Sequence, residues 1–212
     1  MGMPDRYENA CLLVIDIQRD FCPGGALPVP GGDEVIGIVN RLMNGFGSVV
    51  ATQDWHAPGH ISFASTHAGK EPFDTIMVNG VQQVLWPDHC VQGSKGAAFH
   101  PDLDVKRLHM ILRKGLRPYL DSYSAFFEND GKTPTGLLSY LREIGVSSLW
   151  LCGLAADVCV FYSAMDAVRL GFETLVIEDA VRGVDVPPGN VSRTRDEMRE
   201  AGIGFTHSTD MV

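Results

Sequence analysis

The chain has 212 residues, 45% of them hydrophobic, enough for one domain over 1–212 with a substantial core. Its 26 acidic and 17 basic side chains give a formal net charge of -9, which argues against nucleic acid or an anionic membrane surface as partner. No apolar run reaches transmembrane length, the start "MGMPDRYENA" lacks a secretory core, and Arg6 stands where an N-terminal acylation pattern needs Ser or Thr.

In chain order, "CLLVIDI" (11–17) reads as a buried strand, and "DEVIGIVNRLMNGF" (33–46) has the helical spacing of Val35, Ile36, Val39, Leu42 and Met43. "SVVATQD" (48–54) and "HMILRKG" (109–115) are the second and third strands. "TGLLSYLREIG" (135–145) is a helix closed by Gly145, followed by a fourth strand, "SSLWLCG" (147–153). Then come a helix over 157–171, a strand over 173–180, a helix over 190–202 and a sixth strand over 203–208. Continuous apolar strands alternating with helices mean an α/β fold, with a mostly parallel six-stranded sheet between helical layers. Two stretches, 18–32 and 55–104, break the rhythm. The second is rich in Gly, Pro and His, and long loops of this kind are usually functional. There is no internal repeat or linker. Cys11, Cys22, Cys90, Cys152 and Cys159, odd in number and without a C-x-x-C pair, read as reduced thiols of a cytoplasmic protein.

In open parallel sheets the site lies beyond the carboxyl ends of the strands. Here strand one ends at Asp16, strand two at Asp54, strand three at Lys114, and strand four runs out just before Cys159. Singly, each has an ordinary explanation: a buried thiol, a loop-start aspartate, a solvated lysine. Together they are what an activated thiol requires. Cys159 falls in the first turn of a helix opened by Asp157, with Lys114 as nearby cation, an arrangement expected to depress a thiol pKa. Asp16 can take the thiol proton and later return it to a leaving amine, and the N–H groups around "LAADVC" offer an oxyanion pocket.

Asp54 and His56, at i and i+2 in "QDWH", project to one side of an extended chain, and "LWPDHC" adds His89. One carboxylate and two imidazoles suit a divalent site with open positions; zinc, iron and manganese all fit, and His60, Cys90 and Ser62 are rival ligands or neighbours. His67, His100, His109 and His207 read as structural. Phe21 and Trp86, in the two long loops, are candidate walls of a small apolar pocket.

The stretches "LLVIDIQRDFCPGGALPVPGG", "VVATQDWHAPGHISFAS", "LWPDHCVQGSKGAAFHP", "ILRKG" and "GLAADVCV" resemble the nicotinamidases of the isochorismatase-like cysteine hydrolase fold over nearly the whole chain. The resemblance implies Asp16 as general base, Lys114 as the triad lysine and Cys159 as nucleophile. It implies Asp54, His56 and His89 as metal ligands, with His60 at a position where some relatives use a further ligand. Phe21 and Trp86 would flank the substrate ring with Tyr123 nearby, Ala155 and Cys159 would supply oxyanion N–H groups, and the Leu154–Ala155 peptide would be cis. Val158 departs from relatives that carry His before the nucleophile. The implied reaction is hydrolysis of nicotinamide, and of pyrazinamide, through a thioester. The alternative within the fold is a cysteine amidohydrolase for carbamoyl or ureido substrates, whose members generally lack the metal cluster. A homo-oligomer is compatible with this sequence.

Overall fold

The computed structural model describes residues 7 and 9–211; the polar stretch 1–6, where no secretory core is expected, lies outside the described residues. Six strands form one sheet: β1 (Ala10–Ile15), β2 (Ser48–Asp54), β5 (Met110–Lys114), β6 (Ser148–Leu154), β7 (Glu173–Arg182) and β8 (Gly204–Thr206). Their order is β5-β2-β1-β6-β7-β8, and every neighbouring pair is parallel. The chain runs outward from β1 to β2 and β5, then returns to β6 on the other flank. The topological switch point therefore lies between β1 and β6, where such sheets bind ligands.

Alternation along β1 feeds two cores. Leu12 and Val14 pack with Val35, Ile36, Val39 and Leu42 around helix α1 (Ile36–Leu42). Cys11, Leu13 and Ile15 face the opposite layer. That layer holds α2 (Leu137–Glu143), α3 (Cys159–Arg169) and α4 (Asn190–Glu200), through Leu137, Leu141, Val160, Ala164 and Met198. Each fully buried Leu or Ile contributes about 1.5–3 kcal/mol. The three-layer α/β/α expectation holds. Gly153 lets β6 approach β1 closely: a Cβ there would sit 2.1 Å from the Ile15 carbonyl oxygen. No helix among the described residues is long and apolar enough to cross a membrane.

The differences are local. The helix expected over 33–46 is α-helical only at 36–42 and tightens into a 3-10 turn at Met43–Gly45; Gly37 and the β-branched Ile36, Ile38 and Val39 are weak helix formers. The helix expected from 157 opens at Cys159, because the Asp157 carboxylate is directed away from it. Asp157 accepts bonds of 2.9 Å from Val184 N, Asp185 N and Asn190 Nδ2, tying down the segment after β7. The long stretch 55–104 contains a separate antiparallel hairpin, β3 (Thr75–Val78) and β4 (Val81–Val84), that the sequence reading left as loop. Asn79 and Gly80, with φ of 52° and 83°, make its two-residue turn; Asn-Gly between short β-rich runs was the available signal.

Candidate active site

Parallel pairing puts Asp54 and Lys114, the last residues of β2 and β5, directly side by side. Asp16 follows β1 with φ of 47°, and Cys159 begins α3 beside it. All four are buried. The Lys114 ammonium lies 2.9 Å from Asp16 Oδ2 and donates to Asp54 Oδ1, to the Ser122 carbonyl (3.1 Å) and to Cys159 Sγ (3.4 Å). Burial works against its charge, but Asp16 and Asp54 outweigh it and hold the lysine pKa well above its ordinary value.

Asp16 Oδ1 accepts a 2.6 Å bond from Thr52 Oγ1, while Oδ2 accepts no well-directed hydrogen bond among the described residues. Burial is the main influence on Asp16 and raises its pKa to about 6 despite Lys114. Such a carboxylate has a lone pair free for a proton and an affinity matched to neutral pH. A carboxylate oxygen of Asp16 and Cys159 Sγ lie within 4.8 Å. The depressed thiol pKa expected from the sequence is not found: burial pushes Cys159 well above its ordinary value, and Asp16 and Asp54 add to the push against Lys114. Burial thus favours the protonated thiol, with the Asp16 carboxylate beside it.

Asp54 joins this cluster to a second one. Its Oδ1 takes Lys114, while Oδ2 lies 3.6 Å from His56 Nε2 and 3.9 Å from His89 Nε2. The metal candidates and the Asp16–Lys114–Cys159 cluster thus share Asp54. Burial alone would raise the Asp54 pKa, but Lys114 and His56 hold it well below the usual carboxylate range. His56 Nδ1 faces the Gly115 carbonyl at 3.2 Å and His89 Nδ1 the Pro87 carbonyl at 2.7 Å. A backbone carbonyl holds each Nδ1, so both Nε2 atoms face Asp54, where a divalent ion would take the place of any proton between them. A Cβ at Gly115 would fall 2.4 Å from the His56 ring, so this cradle requires glycine there. The donor set fits a divalent ion. His60 differs: Nδ1 bonds Ser62 Oγ at 2.7 Å and Nε2 the Arg117 carbonyl at 2.8 Å, although its ring lies 4.4 Å from that of His56.

Above these groups is a pocket of about 410 Å³, part of it open to solvent. Asp54, His56, His89, Ala155 and Cys159 line its floor, and Phe21, Leu27, Val29, Trp86, Tyr123, Val158 and Val184 make largely apolar walls. All three expected aromatics are present; Trp86 Nε1 donates to the Tyr123 hydroxyl at 3.1 Å. The Leu154–Ala155 peptide is cis. Near it, the N–H groups of Ala156, Val158 and Val160 are committed to the carbonyls of Arg182 and, for the last two, Ala155.

Residues 10–192 match the Isochorismatase domain family. The chain belongs to that family. It is 46% identical over 205 residues to the nicotinamidase of Acinetobacter baylyi, covering 97% of this chain and 95% of that protein. A solved Acinetobacter baumanii nicotinamidase pyrazinamidease superposes with a TM-score of 0.94 at 47% identity, covering 97% of this chain and 99% of that one. The yeast nicotinamidase bound to the inhibitor nicotinaldehyde (TM-score 0.87, 30% identity, 93% and 99% covered) has the same fold. So does the pyrazinamidase of Pyrococcus horikoshii in complex with zinc (TM-score 0.77, 37% identity, 94% and 99% covered).

In this isochorismatase-family chain, sequence reasoning missed Thr52, Gln18, Asp121 and Gln83. Thr52 holds Asp16. Gln18, fully buried, bonds both backbone groups of Asp54 (N to Oε1, 2.7 Å; Nε2 to O, 2.8 Å) and the Ala97 carbonyl (2.9 Å), fixing the residue the two clusters share. Asp121 lines the pocket, buried, with its carboxylate bonded to Ser122 N and Gln83 Nε2. Uncharged Thr and Gln carry no composition signal for such tasks, and only tertiary contacts reveal them.

Proposed function

We propose that this protein is a cytoplasmic nicotinamidase, one catalytic domain that hydrolyses nicotinamide to nicotinate and ammonia and also accepts pyrazinamide, as part of pyridine nucleotide salvage. The observation that carries this reading is the Lys114 ammonium bounded by Asp16, Asp54 and Cys159 just beneath the floor of an apolar pocket, with an Asp/His/His set sharing one of those carboxylates. The names of the relatives support the substrate. The Asp54–His56–His89 set weighs against a carbamoyl or ureido substrate. The acidic balance argues against nucleic acid or an anionic membrane surface as partner.

In this mechanism the substrate ring lies among Phe21, Trp86 and Tyr123, with the carboxamide over Cys159. The Cys159 thiol gives its proton to Asp16 as sulfur attacks the amide carbon. The Ala155 and Cys159 N–H groups receive the oxyanion, a role supported by the commitment of their neighbours Ala156, Val158 and Val160 elsewhere. The C–N bond breaks as Asp16 delivers its proton to the departing ammonia, leaving a thioester. Asp16 then takes a proton from water, the hydroxyl adds to the thioester carbon, and the C–S bond breaks as that proton returns to sulfur; the acid released gives its remaining proton to ammonia or solvent as nicotinate. Lys114 keeps its charge throughout and holds Asp16 and the sulfur in place. Asp54, His56 and His89 would hold a divalent ion (zinc, iron or manganese), which when bound supplies a Lewis-acid contact for the pyridine nitrogen and so positions the ring.

Ammonia release from nicotinamide, with and without prior chelation, tests the reading. Turnover should be present and should fall steeply on chelation, while Cys159 still alkylates with iodoacetamide. Benzamide, with no ring nitrogen, should be a poor substrate and lose comparatively little on chelation. Absence of ammonia release from the metal-replete enzyme would sink the assignment. Equal turnover of benzamide and nicotinamide, hurt equally by chelation, would remove ring anchoring alone.

A further inference from the structure

The β3–β4 hairpin stands over the pocket wall with almost nothing buried. Of its eight strand residues only Gln83, 3% exposed, is buried, while Met77 beside the turn is 67% exposed. One face of the hairpin, with Ile76, Val78, Val81 and Gln83, is the better covered, but its apolar members are only half-buried and the Gln83 carboxamide alone goes fully inward. Gln83 Nε2 lies 2.7 Å from the Val84 carbonyl, 2.9 Å from Asp121 Oδ2 and 2.9 Å from the Tyr123 hydroxyl. Its Oε1 accepts from Asn129 Nδ2 at 3.2 Å, and Asn129 Oδ1 in turn takes the Tyr123 N–H at 2.9 Å. The Tyr123 hydroxyl also receives Trp86 Nε1. One buried amide thus gathers the tyrosine, the tryptophan through it, and the Asp121 carboxylate. A buried polar network of this kind fixes one arrangement of its members.

We propose that Gln83 is a positioning residue for substrate binding: its carboxamide docks the β3–β4 hairpin and holds the Trp86–Tyr123 wall, so that hairpin docking completes the ring-binding pocket. This rests on the reading of that pocket as the site for a pyridine carboxamide. Gln83 touches neither Cys159 nor Lys114 by any contact above, so its removal should act on binding and not on chemistry.

The test uses Gln83→Leu, similar in size but without hydrogen-bonding capacity, together with Tyr123→Phe and the double variant. Gln83→Leu should raise KM for nicotinamide about ten-fold or more with kcat within about three-fold, the pattern of lost ground-state binding. Because the effect runs through the tyrosine hydroxyl, the double variant should be little worse than the worse single one; multiplied effects would overturn the coupling. Independently of any substrate, chymotrypsin should cut Gln83→Leu at Phe73 or Met77 faster than wild type, with the rest of the chain intact. Unchanged KM and unchanged cleavage would overturn the proposal, as would a fall in kcat alone. If wild type releases no ammonia from nicotinamide, the functional reading fails and the protease comparison still decides whether Gln83 docks the hairpin. Should Gln83→Leu not fold, Tyr123→Phe must by itself speed cleavage of the hairpin, and failure to do so counts against it.

Discussion

At the pocket floor and in the layer buried beneath it, Asp54, Cys159, Asp16 and Lys114 come directly off three strand ends and a helix start, whereas the wall of Trp86, Asp121 and Tyr123 comes from loops. Sheet register fixes the floor: Asp54 is the backbone partner of Lys114, and Ile15, just before Asp16, is the partner of Gly153. Displacing one of those side chains means breaking ladder hydrogen bonds along a whole strand. The wall has only an isolated backbone bridge, Trp86 to Phe63, and side-chain bonds such as Trp86 to Tyr123 and Gln83 to Asp121. On the proposed mechanism, the groups that would move protons and form bonds sit at strand ends, and the groups that would hold the ring sit on loops. On this division, floor variants should lose kcat and wall variants should lose KM.

The largest loss should come from Cys159→Ala. With no sulfur to form the thioester, turnover should fall by at least about 10⁴-fold, the scale seen when a covalent nucleophile is removed. Nicotinamide binding, measured by equilibrium dialysis, should survive. Cys159 should also be the first of the five thiols to react with iodoacetamide, since it lines the pocket while Cys11, Cys22, Cys90 and Cys152 are at most 2% exposed. Normal ammonia release by the alanine variant, or equal labelling of all five, would break the comparison at its firmest point.

Asp16→Asn keeps the shape and removes the base. It should lower kcat by about 10²–10⁴-fold with KM nearly unchanged, the range for loss of one acid–base group. The wild-type enzyme should carry the same information in its pH dependence. Asp16 works as carboxylate and burial raises its pKa to about 6, so kcat/KM should fall as pH drops through about 6 and level off above it. If Asp16→Asn raises KM alone, the residue belongs with the wall.

The floor was legible in the sequence because it follows from two simple patterns. Apolar runs of strand length mark the strands, and the reactive residue closing each run marks the edge where the runs end together. Asp54 and His56 were legible from local spacing and His89 only from a separate stretch of the long loop, while the side-chain contact from Asp54 to Lys114 was not legible. The hairpin was missed despite its Asn-Gly turn, since "TIMV" and "VQQV" are only four residues each and alternate weakly. The thiol was misjudged for a different reason. Charge proximity can be guessed from strand ends, but burial cannot, and for Cys159 burial outweighs the lysine. Gln18, Thr52 and Gln83 act through hydrogen bonds to residues at least 36 positions away, and no period or motif records such partners.

The smallest effect, and the sharpest on the floor, should come from Thr52→Val. Thr52 Oγ1 donates to Asp16 Oδ1 at 2.6 Å and accepts the Asp16 N–H at 3.2 Å. Valine has nearly the same shape, so the strand and the position of Asp16 should persist. The bond to Oδ1 stabilises the charged carboxylate and is one of the influences lowering the Asp16 pKa. Hydrogen bonds to charged groups contribute about 1.5–3 kcal/mol, and one pKa unit corresponds to about 1.4 kcal/mol. With Lys114 still beside Oδ2, the Asp16 pKa should rise by about one unit. The sign follows directly: a weaker acid needs a higher pH to become the base, so the acid limb of kcat/KM should move from about 6 to about 7. At pH 8 the variant should stay within about three-fold of wild type, at pH 6 it should be about five-fold slower, and below pH 5 about ten-fold slower. A pH profile of both enzymes on nicotinamide reads all three points. A uniform loss at every pH would mean that Thr52 only orients Asp16, and a limb that stays put would mean that some other group sets it.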